Sequence, residues 1–211
     1  MADWVTISSL ATAGGTLVLA AATFASVRSA NRSARVAERA LQVGLRPLLV
    51  PSKLEDPLIK VMWVDGHHAR IEGGRAAVEV ADGVIYLAMS LRNVGSGMAV
   101  LHGWHSTPRA LHAEDPHAEP EQFRTQTRDL YVPPGDVGFW QAAFRDPAEP
   151  GYQEMCEAIQ ERRRFSVDLL YGDHEGGQRV VSRFALASAG DGLVWLSSVG
   201  RHWNLDRPDP R

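Results

Sequence analysis

The chain predicts a mainly β fold, an antiparallel sandwich or barrel, carried behind one long N-terminal helix that spans a membrane. Three observations predict it. Residues 4–27 hold no charged side chain, and Arg28, Arg32, Arg35 and Arg39 follow directly. From Arg46 onward the apolar residues change from helical to alternating spacing, as in Ile85, Leu87, Met89 and Leu91. Turn chemistry then recurs at short intervals: Asp65-Gly66, Gly73-Gly74, Asp82-Gly83, Pro133-Pro134-Gly135-Asp136 and Gly176-Gly177.

The first element is a transmembrane helix over 4–27. A helix rises about 1.5 Å per residue, so roughly 20 residues cross about 30 Å of hydrocarbon. The 24 residues from Trp4 to Val27 suffice. A secretory signal peptide is the rival reading, but it needs a basic segment ahead of the apolar run. Only Met1, Ala2 and Asp3 stand there, and Asp3 has the wrong sign. The positive-inside rule then places the N-terminus outside and residues 28–211 in the cytoplasm, in the cell inner (plasma) membrane, single-pass.

The second element is a basic helical stalk over 28–45. At 100° per residue, Arg28, Arg32, Arg35 and Arg39 fall within about 60° of one another. Such a stripe is attracted to the anionic headgroups of the lipid bilayer by about 1 kcal/mol per arginine. A merely solvated face is compatible with the same pattern. Gly44 and Pro47 end the helix. Within the span, Ser8, Ala11, Thr12, Gly15, Ala22 and Ser26 share a small-residue face, interrupted by Leu19. Small residues allow close helix approach, so self-association or contact with other membrane proteins is a further option.

A β-sandwich domain is expected over 46–203, with a disordered tail over 204–211. Charge is divided unevenly. Residues 1–46 carry five arginines against Asp3 and Glu38, a net +3, so the remainder of the −3 chain is −6. An acidic globular part argues against nucleic acid as a partner, which needs a basic face to meet phosphate. Cys156 is the only cysteine, which excludes an intrachain disulfide.

The clearest strand is Val84–Asn93, with Tyr86, Ser90 and Arg92 on the opposite face from Ile85 and its partners. Strands are also expected at Leu58–Val64, Met98–His105, Val137–Phe144, Phe165–Tyr171, Arg179–Leu186 and Leu193–Val199. Weaker patterns mark Pro47–Lys53, Ala76–Val80 and Asp129–Val132. One inserted helix is expected at Tyr152–Arg164, with Met155, Ile159 and Cys156 on its apolar side. Pro108–Gln122 has no periodicity and reads as a long exposed loop with disorder.

The stretch Leu91-Arg92-Asn93-Val94-Gly95-Ser96-Gly97-Met98-Ala99 resembles a strand–turn–strand of immunoglobulin-like sandwich domains in bacterial membrane-anchored proteins. The layout is similar too: an N-terminal span, a helical stalk, Arg46-Pro47 leading into the first strand, then an Asn-x-Gly-x-Gly-x-Ala turn. Val132-Pro-Pro-Gly-Asp136 and Val167-Asp-Leu-Leu-Tyr-Gly-Asp173 resemble the later strands and hairpins. That group often has proline where Met98 stands. The resemblance implies a fold and a layout and no reaction.

No catalytic, cofactor-binding or metal-binding residue is assigned. Asn93-Val-Gly-Ser-Gly97 leads into a strand, whereas a phosphate-cradling loop leads into a helix; its glycines are read as the positive-φ residues of a hairpin. His102 and His105 are three apart, which puts them on opposite faces of a strand. His67-His68, His112, His117 and His174 sit in turns or polar stretches. Asp168, Asp173 and Glu175 are the available acid/base carboxylates, and the last two sit in ordinary hairpin-tip composition. Trp63, Trp104, Trp140 and Trp195 fit core packing, and Trp203 is either an exposed contact or an edge-packing residue. The expected function is therefore a membrane-anchored binding or scaffolding module of unknown ligand, acting in protein–protein interaction or as an accessory subunit at the inner membrane. An enzyme with a dispersed site is one alternative; an envelope-facing recognition domain, with the topology inverted, is another.

Overall fold

A computed structural model describes residues 3–190 and 194–209. Leu193, the first residue of one expected strand, and Pro210 and Arg211 of the expected tail lie outside the described residues. The chain forms two compact units, Met1–Val43 and Gly44–Arg211.

The first unit is the helix α1 (Trp4–Gly44), 41 residues without a break. It is the one helix among the described residues long and apolar enough to cross a membrane. Its apolar side chains stand uncovered: Leu10, Leu17, Val18, Leu19 and Phe24 are each two-thirds or more exposed. Two of its hydroxyls are satisfied within the helix. Thr12 Oγ1 donates to Ser8 O at 2.9 Å and Thr16 Oγ1 to Thr12 O at 2.8 Å, leaving these donors without need of water. The helix stops at Gly44, three residues before Pro47, as the proline predicts.

The second unit is mainly β. Its elements are β1 (Leu49–Pro51), β2 (Ile59–Met62), β3 (His68–Ile71), β4 (Arg75–Ala81), β5 (Val84–Asn93), β6 (Ala99–Thr107), β7 (Arg124–Val132) and β8 (Val137–Phe144), then α2 (Tyr152–Gln160), β9 (Phe165–Gly172), β10 (Arg179–Ala189) and β11 (Val194–Asn204). Nine strands form one curled antiparallel sheet in the order β1-β5-β4-β11-β10-β9-β6-β7, with β8 on β5. β2 and β3 form a separate hairpin, in which Lys60 pairs with Arg70 and Met62 with His68.

The centre of the unit is β5. Ile85, Leu87, Met89 and Leu91 point into a core shared with Trp140, Phe144, Phe165, Phe184 and Leu186. The alternation read from the sequence is correct, but the other face of β5 is not open to solvent. Tyr86 and Ala88 are covered by Val61, Trp63 and Ile71 of the β2–β3 hairpin. Each such large apolar side chain contributes about 1.5–3 kcal/mol of burial. β3 differs from the sequence expectation, which has no strand there: its alternation of His68 and Arg70 with Ala69 and Ile71 is only four residues long, and its ladder partner is β2.

Asn93 locks the turn between β5 and β6. Its Oδ1 accepts the amides of Leu48 (3.1 Å) and Gly95 (2.9 Å), and its Nδ2 donates to the carbonyls of Gly97 (2.7 Å) and Val132 (2.9 Å). The glycines of this turn have a different cause from the one expected. Neither has positive φ. A Cβ at Gly97 would lie 1.9 Å from Leu45 O, and one at Gly95 2.4 Å from Arg46 O. Close backbone approach, not handedness, requires them.

α2 ends at Gln160, short of the expected Arg164. Arg162 adopts φ 58°, with its amide on Ile159 O and that of Arg163 on Ala158 O. This is a Schellman stop with arginine in the slot glycine usually fills.

The stretch Pro108–Gln122 departs from its expectation. It is fastened to the sheet rather than loose. Arg183 takes the carbonyls of His112, Asp115 and Pro116, Arg201 takes that of Ala113, and Ser166 Oγ accepts the amide of Leu111. Trp203 belongs to this clamp. It is 7 % exposed, lies under Arg183 and Arg201 and meets His117 edge-on at 5.5 Å. Beyond β11, Arg179 pairs with Asp206 and the Asn204 amide donates to Asp209.

Candidate functional site

The four arginines singled out from the sequence, Arg28, Arg32, Arg35 and Arg39, all lie on α1 and all are exposed. Among the described residues, none of them forms an ion pair with a carboxylate.

In the second unit the informative place is where the curled sheet fails to close. β7 and β8 are its two ends in space, joined in sequence by the Pro133–Asp136 turn, yet no ladder joins them. The cause lies in β7. Leu101 of β6 pairs with Leu130, and Gly103 already pairs with Thr125, so Gln126–Asp129 bulge out of the ladder. One side-chain bond spans the opening: Gln126 Nε2 donates to Gln141 O at 3.0 Å.

Two clefts follow this seam. The first, about 340 Å³, is lined by Trp63, Trp104, Arg124, Gln126, Gln141 and Glu149, among others. The second, about 450 Å³, is lined by Lys60, Val61, Met62, His68, Ala69, Arg70, Arg128 and Phe139. Thr127 lines the first cleft and its neighbour Arg128 the second, so the two open at adjacent points of β7.

The first cleft is held rigid by ion pairs. Arg124 bonds Glu149 and lies over the rings of Phe144 (4.3 Å) and Trp104 (5.1 Å). Burial draws the Glu149 carboxyl upward, but the amides of Asp146 and Arg145 and the Arg124 guanidinium outweigh it and leave it below the usual range. Arg145 and the Tyr86 hydroxyl hold Asp65 well below the usual carboxylate range. Two acceptors in this cleft are unmatched: Oε1 of Gln126 and Oε1 of Gln141 are buried without a hydrogen-bond partner, and Gln141 is only 6 % exposed. The second cleft has the opposite character, with three cations and no carboxylate in its lining.

The other residues weighed from sequence fall elsewhere. Asp168 is buried against Arg183, and Asp173 is buried with its Oδ1 accepting the Gly177 amide. Glu175 is exposed beside His174. His105 Nδ1 is 3.3 Å from Gln122 O, and burial lowers the pKa of His102, with Arg179 adding to the effect. His67 stacks on Tyr86 at 3.8 Å and meets Glu79. Among the described residues no three histidine, cysteine or acidic side chains are grouped to hold a metal. Cys156 is half-buried on α2. Ser182 lies 2.6 Å from His202 Nδ1 and 2.7 Å from the Tyr171 hydroxyl, and it is wholly buried in the sheet.

Lys60, Arg70, Arg128, Gln126 and Gln141 were not singled out from sequence. Their only local signal is two glutamines and three cations scattered over 82 residues. The chain was compared with protein-family models, curated proteins and solved structures, and none of them matches it.

Proposed function

We propose that the protein is a single-pass membrane-anchored binding module, with α1 as anchor and the β unit as the part that engages a protein partner. The observation that carries this reading is α1 itself. Its apolar residues from Ile7 to Val27 are uncovered, and four unpaired arginines follow them on one face. In water so large an apolar surface is unfavourable by tens of cal/mol per Å²; in a bilayer it is the stable state. The arginine asymmetry supports a cytoplasmic β unit at the inner membrane, with the stripe against anionic headgroups.

An immunoglobulin-like layout of the β unit belongs to the same proposal. Its short antiparallel strands and the Asn93–Gly97 turn support it. The two clefts support binding: they offer amides, guanidiniums, hydroxyls, the Lys60 ammonium, the His68 imidazole and one ion-paired carboxylate.

The test is membrane fractionation of the full chain, combined with two C-terminal reporters. Salt- and carbonate-resistant membrane retention is expected, with an active cytoplasmic fluorescent reporter and a silent phosphatase that works only outside the cytoplasm. Soluble protein sinks the anchor; strong phosphatase signal inverts the topology and favours envelope recognition.

A further inference from the structure

We propose that the cleft between β7 and the β2–β3 hairpin docks an extended acidic peptide of a partner protein, with Lys60, Arg70 and Arg128 meeting its carboxylates and the free edge of β7 meeting its backbone. The inference rests on the binding-module reading and gives the partner its chemistry.

The charge comes first. Lys60 and Arg70 are direct cross-strand partners on the outer face of the β2–β3 hairpin, and both are exposed. Like charges placed opposite each other destabilise a hairpin. Arg128 adds a third cation from β7 to the same cleft. Among the described residues none of the three forms an ion pair with a carboxylate. The residues after Arg46 are acidic overall, at −6, so this concentration of unpaired cations is a local reversal of sign. An acidic ligand relieves the repulsion, and a basic one adds to it.

The backbone supplies the second argument. Gln126–Asp129 have no ladder partner on β6, and β8 has none on the side facing β7. On β8 the Gln141 and Ala142 carbonyls are taken by Gln126 and Trp63, but Thr127–Asp129 of β7 are exposed, and such an edge is a template for an added strand.

The floor completes the match. Met62, 62 % exposed, stands two residues from Lys60 on the same outer face of the hairpin, and Phe139 lines the same cleft. A peptide that turns both acidic and apolar side chains to the cleft reaches the cations with the first and covers Met62 and Phe139 with the second.

The experiment selects a random linear-peptide display library on the detergent-solubilised full chain. Enriched peptides should combine acidic and apolar residues. The variant K60E/R70E/R128E should weaken their binding about tenfold or more, with added salt weakening wild-type binding in the same direction. All three positions are on the surface; unchanged tryptophan fluorescence checks folding, and Arg128→Glu alone serves if the triple variant misfolds. No enrichment, enrichment of neutral or basic peptides, or equal affinity for the variant overturns the proposal. So does binding of anionic phospholipid vesicles through the three cations with no peptide bound. Because the chain is in detergent, a failed topology test leaves this outcome unaffected.

Discussion

Arg183 on β10 and Asp168 on β9 are ladder partners whose side chains, each 2 % exposed, form a two-point salt bridge: Nε to Oδ1 and Nη2 to Oδ2, both 2.8 Å. The remaining three N–H groups of Arg183 go to the carbonyls of His112, Asp115 and Pro116, so all five donors of the guanidinium are used. Desolvating two charges is costly, and only complete satisfaction of this kind offsets it.

Removing one partner is therefore expected to be severe. Arg183→Met strands a buried carboxylate and frees three carbonyls, at a cost of about 3–5 kcal/mol in urea unfolding. The double variant Arg183→Met with Asp168→Leu should recover part of that stability. It should still leave the 108–118 segment open to trypsin at Arg109. A double variant as protease-resistant as wild type would show that Arg183 does not hold the segment.

Asn93 is the second structural knot. Asn93→Ala leaves the Leu48 and Gly95 amides and the Gly97 and Val132 carbonyls without their partner, and should cost about 3 kcal/mol or more. Gly97→Ala should be at least as harmful, because its Cβ meets Leu45 O at 1.9 Å. Gly177→Ala, whose Cβ meets nothing closer than 3.7 Å, is the control and should be nearly neutral. Chemical denaturation followed by tryptophan fluorescence measures all three. Equal midpoints for Gly97→Ala and Gly177→Ala would contradict the close-approach account.

Stability should fall at both extremes of pH. Asp56 beside Arg92, Asp65 beside Arg145 and Asp206 beside Arg179 all titrate below their ordinary values in the folded chain. A depressed carboxylate contributes stability that is present above its unfolded pKa, about 4, and lost as pH falls through its folded value. The urea midpoint should thus drop between pH 5 and pH 3, roughly the acid end of that window, and Asp65→Asn should flatten the drop. Tyr171 has the opposite sign. Burial pushes its hydroxyl up to about 12, so its contribution is present below about pH 10 and lost as pH rises toward 12. Tyr171→Phe should remove that alkaline slope while costing about 1–3 kcal/mol at neutral pH, since Leu49 N loses its acceptor. An alkaline slope unchanged in the phenylalanine variant would assign it to another group.

The arginine stripe should set orientation. Replacing Arg28, Arg32, Arg35 and Arg39 together by serine removes the charge bias that retains the C-terminal flank inside. An externally active phosphatase at the C-terminus should gain signal in that variant, while the fluorescent reporter loses it. Identical reporter ratios before and after the change would mean that the stripe does not orient the helix.

Much of the fold was legible because its signals are local. The edges of Val84–Asn93 and Val137–Phe144 match β5 and β8 residue for residue, since alternation and flanking turn residues lie within a few positions of one another. The helix stop at Gly44 followed from Pro47 for the same reason. β3 and the first half of β7 were not legible: the alternation of His68–Ile71 spans only four residues, and Arg124–Arg128 has no apolar residue at all. The second cleft was missed on similar grounds: Lys60 and Arg70 meet through the register of a hairpin, and Arg128 joins them only across the fold.

The sequence by itself determined one long apolar helix with an arginine stripe, and a set of short antiparallel strands with their turns. These depend on spacing along the chain, which sterics and burial translate into helix or strand at short range. Only the tertiary structure decided that Pro108–Gln122 is clamped rather than loose, that the second face of β5 is buried, and that the sheet stays open between β7 and β8. Each of those outcomes rests on partners far apart in the chain, such as Arg183 with His112 or Gln126 with Gln141. A guanidinium carries no mark in the sequence of which carbonyls it will meet, and a strand none of which edge will remain free.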